Sequence, residues 1–251
     1  MQIQLLEQQQ KISTLLIKEI EKAGKQSQGF NHTLVLGDVG VGKTTLLKNL
    51  FQEISNNKEI SNKFNIIYLP LIFNIENIDI SIGNMLLSSN PTLIAQNHIL
   101  IIDDLHCLLG DSDDQAHLLR KMLLRKSPNI TVVASARSSF KESLSQNKAM
   151  FGFFRILELS NLSDGDVIKV LGDILKNKIW IKLNDSLGSV NPFWFLGLTD
   201  LNMRLVLALK NVVLSAKNSS MDPSIFLEQY YQIVAPTFLG QIMELPRAGR
   251  V

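Results

Sequence analysis

Cysteine is nearly absent: Cys107 is the single thiol in 251 residues, so no internal disulfide can form. The four His residues are scattered, with no Cys/His ligand spacing. Together these absences argue for a reducing compartment and against structural zinc. Charge of one prevailing sign is missing as well. The 25 Lys+Arg against 23 Asp+Glu leave a formal net charge of +2, and charged residues make up only 19% of the chain. That balance excludes both a disordered polar chain and a broadly basic nucleic-acid coat, so any nucleic-acid surface must be local. Long hydrophobic runs are lacking too, because Asp103 and Asp104 cut the run that begins at Ile99 before it is long enough for a bilayer. The Gln-rich first ten residues contain neither the basic nor the apolar region of a secretory signal. The expectation is a cytoplasmic protein with no membrane insertion.

Apolar residues, by contrast, are plentiful at 45%, enough for the core of one large domain or two small ones. Over residues 3–20 they recur mostly at helical spacing between Gln, Lys and Glu, which predicts an amphipathic helix. Residues 24–31 read as a loop, Thr33–Leu36 as a short buried strand stopping at Gly37, and the stretch from Lys43 to about Ile54 as the next helix. The polar segment 55–63 precedes a second strand, Phe64–Leu69, rich in β-branched and aromatic residues and limited by Pro70. Further apolar runs at 99–102, 130–134 and 156–159 are separated by helix-like stretches such as 115–124. Strands alternating with helices imply a mostly parallel sheet covered on both faces.

After Leu159 strand-like runs become rare. Ser163, with Asp166 three positions on, is the N-cap expected for a helix through Ile174; helices are also expected near 200–217 and 223–233. A domain boundary is therefore placed near Asn161.

The most specific signal is Gly37-Asp38-Val39-Gly40-Val41-Gly42-Lys43-Thr44, a complete P-loop pattern lying between a strand and a helix. Glycines let consecutive backbone N–H groups turn inward around phosphates, and the N-terminus of the following helix adds its dipole. Lys43 is the side chain to reach the β- and γ-phosphates, Thr44 the hydroxyl ligand for Mg²⁺, and Thr45 a neighbour of the same phosphates. The apolar strand at 99–102 ends in two carboxylates. Asp103 is the residue expected to hold Mg²⁺ through its water shell, and Asp104 the candidate catalytic base that orients the attacking water.

With these motifs the chain resembles the P-loop ATPases of the AAA+ and STAND groups. The resemblance rests on GDVGVGKTT from Gly37, HILIIDDLH from His98, ITVVASAR from Ile130 and LELSNLSDGDV from Leu157. It implies an α/β P-loop NTPase core, a parallel sheet sandwiched by helices, over residues 1–160, and a small all-helical lid over 161–251. It also implies that a further strand separates the P-loop strand from the one carrying the carboxylates. By family analogy, Ser135 and Arg137 are the candidates for sensor 1. Leu201-Asn202-Met203-Arg204 is similar to the family's Gly-Asn-Pro-Arg, with Met203 where Pro is common, which makes Arg204 the candidate sensor 2. Arg155 is the nearest positional match to the arginine finger that ring-forming members insert into a neighbour's site.

The resemblance implies a Mg²⁺- and ATP-dependent ATPase that forms homo-oligomers on ATP binding. An Asp-Asp pair suits slow, switch-like hydrolysis better than a fast motor. The leading expectation for its use is a regulator acting on DNA, with a protein partner. The alternatives are a STAND-type signalling switch that does not touch DNA and the ATPase of a secretion or envelope-assembly system. Arg120, Lys121, Arg125 and Lys126 form a basic cluster on an expected helix, either a solvated face or a small DNA-backbone patch multiplied by oligomerisation. Asp111, Asp113 and Asp114 lack the remaining ligands of a calcium loop and read as turn and helix-start residues. Trp180, Phe193, Trp194 and Phe195 read as lid core, and Cys107 as a buried thiol.

Overall fold

In the computed structural model the described residues are 6–23, 32–70, 97–109, 113–126, 130–175, 181, 201–215 and 223–244. The loop expected at 24–31, Asp111, the aromatic residues Trp180, Phe193, Trp194 and Phe195, and the expected helix start at Asp200 lie outside them.

Strands β1 (Thr33–Leu36), β2 (Phe64–Leu69), β3 (Asn97–Ile102), β4 (Ile130–Ala136) and β5 (Arg155–Glu158) form one sheet in the order β2-β3-β4-β1-β5. Every pairing is parallel. The expected α/β class is thus the one observed, and β4 is the strand lying between the P-loop strand β1 and the carboxylate strand β3. The central strands are apolar along most of their length because both their faces are covered. Leu34, Leu36, Leu100, Ile102, Val132 and Ala134 join Leu105, Leu119, Leu123 and Phe140 in one cluster. Their alternates Val35, Ile99, Ile101 and Val133 are equally buried on the other face, where α2 (Lys43–Asn56) packs across β2 and β4. Fully burying one such side chain contributes about 1.5–3 kcal/mol, so no single motif residue carries the fold.

The chain divides into two compact units. The first comprises Met1–Asp38 with Lys43–Leu159. It holds the sheet together with α1 (Glu7–Ala23), α2, α3 (Lys58–Ser61), α4 (Leu105–Leu109) and α5 (Asp113–Lys126). A short 3-10 segment, Ser138–Leu144, follows β4. The second unit comprises Ser160–Val251 with four residues of the P-loop, Val39–Gly42. Its described secondary structure is helical: α6 (Asp164–Leu175), α7 (Met203–Ser215) and α8 (Pro223–Glu244). Helix α7 packs on both α6 and α8, burying Val206, Leu209 and Val213 beside Val167, Leu171, Phe226 and Tyr230. Ser163 caps α6 as expected, its Oγ accepting the Asp166 N–H at 3.2 Å and donating to Asp166 Oδ2 at 2.8 Å.

Three of the departures from the expectations have a local reason. Within the polar stretch 55–63, Asn57 accepts the Glu59 N–H at 3.0 Å and starts α3, which has one apolar anchor, Ile60, and so shows no periodicity. Helix α8 runs past 233 through Pro236. A proline there leaves the Gln232 carbonyl without its helical donor, and both residues are exposed, so water can satisfy it. The last strand begins one residue earlier than its apolar run and is largely exposed, as an edge strand can be.

One half-buried histidine ties strand ends together. His32 Nδ1 accepts the Val132 N–H at 3.1 Å, its carbonyl accepts the Arg155 N–H at 2.8 Å, and its ring stacks on Phe153 at 4.5 Å. Burial lowers its pKa from 6.5 to about 4. Above pH 6.5 the imidazole is neutral in both folded and unfolded states. Between 6.5 and 4 the unfolded chain takes up the proton and the folded one does not, so stability falls as the solution is acidified. The melting temperature is expected to drop on going from pH 7.5 to 5. In His32→Asn, which keeps an acceptor near Nδ1 but does not titrate, the drop should be shallower although the starting value is lower.

Candidate nucleotide site

Strand register builds the site. Val35 of β1 lies opposite Ser135 of β4, and Ile102 of β3 lies opposite Ala134. The chain therefore leaves β1 at Gly37 and β3 at Asp103 on the same sheet edge as Ser135, the carboxyl edge where α/β folds collect their ligands. Sequence-distant motifs become neighbours through this alignment alone.

The P-loop has the required backbone. Gly40 and Gly42 have φ of 90° and 98°, which a Cβ disfavours. Lys43, the first residue of α2, is 6% exposed. Its Nζ donates to the Gly37 and Asp38 carbonyls at 2.7 and 2.9 Å, which leaves one of three ammonium hydrogens for a further acceptor. Burial lowers the Lys43 pKa, the Asp104 and Asp103 charges oppose that, and the Arg137 charge adds to it. Lys43, the two carboxylates and Arg137 thus sense one another's charge. Thr44 and Thr45 follow in the first turn of α2, half-buried.

Asp103 is 5% exposed and held from both sides. Ser135 Oγ donates to its Oδ1 at 2.7 Å, and the Tyr68 hydroxyl donates to its Oδ2 at 3.3 Å. The same Ser135 Oγ accepts the Asp104 N–H at 2.9 Å. Asp104 has a left-handed φ of 52°, a conformation Asp tolerates better than most side chains. Its carbonyl accepts the Cys107 N–H at 2.9 Å, turning the chain into α4. One fully buried hydroxyl therefore holds the Asp103 carboxylate and the Asp104 backbone.

Tyr68, which lies in none of the quoted motifs, and His106, the last residue of HILIIDDLH, also belong to this neighbourhood. Tyr68 sits on β2 opposite Ile101, its hydroxyl pKa raised by burial and then by Asp103. His106 Nδ1 lies 4.0 Å from Asp104 Oδ1, beyond hydrogen-bond reach. Burial, then the Arg137 and Lys43 charges, lower its pKa to about 4, so it is neutral at pH 7. Its Nε2 lies 3.5 Å from the half-buried Cys107 Sγ.

Residues 7–148 match the family of the bacterial DnaA ATPase domain. The chain belongs to that family. It is an AAA+ P-loop ATPase of the initiator type. In fold it resembles the Aeropyrum pernix Orc1 protein solved in complex with DNA, with a TM-score of 0.62 at 9% identity over 97% of this chain and 70% of that one. Domain III of the Thermotoga maritima replication initiation protein DnaA gives 0.55 at 17% identity, over 92% of this chain and 95% of that one. The Aeropyrum pernix ORC2 protein, solved as ADPNP–ADP complexes, gives 0.56 at 14%, over 95% and 70%. The search of curated proteins returns no match.

The arginines singled out from the sequence, Arg155 and Arg204 as site candidates and Arg120 from the basic cluster, lie as follows. Arg155 opens β5 and pairs with Glu19 of α1. Arg120 donates to the Ala149 and Phe151 carbonyls and lies 5.7 Å over the Phe153 ring. Arg204, in the second unit, is exposed; its backbone N–H donates to the Gly40 carbonyl at 3.2 Å and to Asn202 Oδ1 at 3.0 Å. Asn202 donates from Nδ2 to the Val39 carbonyl at 2.7 Å. Leu201, standing where the resembled pattern has glycine, keeps a glycine-like φ of 54°. Among the described residues no helix is long and apolar enough to cross a membrane, and no three His, Cys, Asp or Glu side chains cluster as metal ligands.

Two substitutions test this geometry. Ser135→Ala strands the Asp104 N–H and one Asp103 oxygen, and should cost about 1–3 kcal/mol in denaturant unfolding. Arg120→Ala should cost about 1.5–3 kcal/mol by the same measure, because it removes hydrogen bonds donated by a charged group.

Proposed function

We propose that the protein is a Mg²⁺-dependent switch that binds and slowly hydrolyses ATP, oligomerises when ATP is bound, and acts on DNA. The observation that carries the reading is the shared network at one sheet edge: a P-loop with its lysine held in place, and a carboxylate pair, Asp103 buried and Asp104 half-buried, organised by Ser135. Family membership supports nucleotide binding, and the Orc1 structure supports DNA as the class of target to test first.

The donor set suits both ligands. A threonine hydroxyl at a helix N-terminus and a buried carboxylate are hard oxygen donors of the kind Mg²⁺ takes, with water completing its shell. Lys43, Thr44 and Asp103 would hold the nucleotide and its metal, which together neutralise charge on the transferring phosphoryl group. Asp104, more exposed than Asp103, would orient water, and Ser135 bonds its backbone in the left-handed turn. Arg137 supplies positive charge beside Lys43. Arg204 and Arg155 are assigned as sensor 2 and arginine finger; in the latter role Arg155 would exchange Glu19 for the phosphate of a neighbouring subunit.

Engagement of Arg120 with two carbonyls means that DNA contact on α5 would fall to its neighbours. Lys121, exposed on the same helix, is the first candidate.

Lys43→Ala should abolish ATP binding measured by calorimetry, and Asp104→Ala should retain binding while lowering single-turnover hydrolysis at least about 10²-fold. Unchanged nucleotide affinity in Lys43→Ala would sink the phosphate assignment. Light scattering should report assembly with ATP and not ADP, strengthened by duplex DNA. Indifference to DNA at low salt would favour a signalling switch instead.

A further inference from the structure

We propose that Asn202 is a positioning residue of the phosphate loop, holding the outer carbonyls of Val39 and Gly40 so that the amides behind them face the nucleotide. The inference rests on the nucleotide reading above.

A loop that binds phosphate through its backbone must keep its N–H groups turned inward, which turns its carbonyls outward. In a trans peptide plane the carbonyl and the next N–H point in opposite directions. Fixing the Val39 oxygen therefore aims the Gly40 N–H, and fixing the Gly40 oxygen aims the Val41 N–H. Both oxygens are held. Asn202 Nδ2 donates to the first at 2.7 Å, and the Arg204 N–H approaches the second at 3.2 Å. That N–H is shared with Asn202 Oδ1 at 3.0 Å, and the Asn202 carbonyl accepts the Val206 N–H at 2.9 Å. Asn202 is thus the N-cap of α7 and the tether of the loop in one side chain.

Gly40 records the closeness of this contact. A Cβ built on it would lie 2.4 Å from Asn202 Oδ1 and 3.0 Å from Arg204 Cβ. The P-loop pattern leaves this position free, so the approach of Asn202 gives a reason, besides its φ, for glycine here. A glycine-bearing loop is also the kind of segment whose peptide planes turn over easily unless something holds them. An inverted plane would point a carbonyl at the phosphates.

Capping and tethering use different ends of the amide, which makes them separable. Asn202→Asp keeps the oxygen that caps α7 and replaces the donor with a carboxylate oxygen facing the Val39 carbonyl. Asn202→Ala removes both. The full chain and its two variants would be melted thermally and titrated with a fluorescent ADP analogue. Asn202→Ala should melt lower and bind about fivefold more weakly; Asn202→Asp should melt near the unsubstituted protein yet bind about tenfold more weakly or worse. A merely structural role predicts that affinity follows melting temperature, so tight binding by a stable Asn202→Asp would overturn the proposal. If the unsubstituted protein fails to bind ADP, the nucleotide reading itself falls, and this inference falls with it.

Discussion

Parallel pairing of β4 with both β1 and β3 is the constraint on which the site depends. With Val35 opposite Ser135 and Ile102 opposite Ala134, the P-loop, the carboxylate pair and the Ser135 hydroxyl emerge at one edge. A slip of one residue in β4 would turn Ser135 to the opposite face and bring an alanine in its place. Asp103 would then be buried without its closest donor. The register is specified by apolar contacts on both faces of the sheet, far from any phosphate, so binding geometry follows from core packing.

The second link is the burial of charge. Asp103 is almost completely enclosed, a state a carboxylate tolerates only when its oxygens are satisfied. Ser135 and Tyr68 satisfy them from two different strands. Lys43 is treated likewise: desolvation works against its charge, while Asp103 and Asp104 favour it and two carbonyls accept its hydrogens. The result is a set of opposed charges held in place in advance, which is what electrostatic catalysis requires. His106 stands beside these groups and stays neutral at pH 7 because burial and two nearby cations disfavour its protonation.

Legibility from sequence varied with the range of the signal. The P-loop could be read because all its parts lie within eight consecutive residues and each has a chemical reason. The central strands could be read because burial on both faces demands largely apolar runs. Helix α3 escaped because a four-residue helix with a single apolar anchor has no period to detect. The continuation of α8 escaped because Pro236 signals a break that solvent exposure allows the helix to bypass. Tyr68 escaped because an aromatic in a buried strand is ordinarily just core. Its hydroxyl acquires a role only when β3 is laid beside β2.

What the sequence by itself determined was the class of fold, the phosphate loop and the carboxylate pair, since these depend on periodicity and on chemistry local to a few residues. What only the tertiary structure decided was partnership. It gave Ser135 to both Asp103 and Asp104, engaged Arg120 with two carbonyls, paired Arg155 with Glu19, and set Asn202 against Val39 and Gly40. These pairs join residues between 29 and 163 positions apart. No local pattern encodes such a contact, because which polar side chains meet is settled by how the apolar surfaces pack.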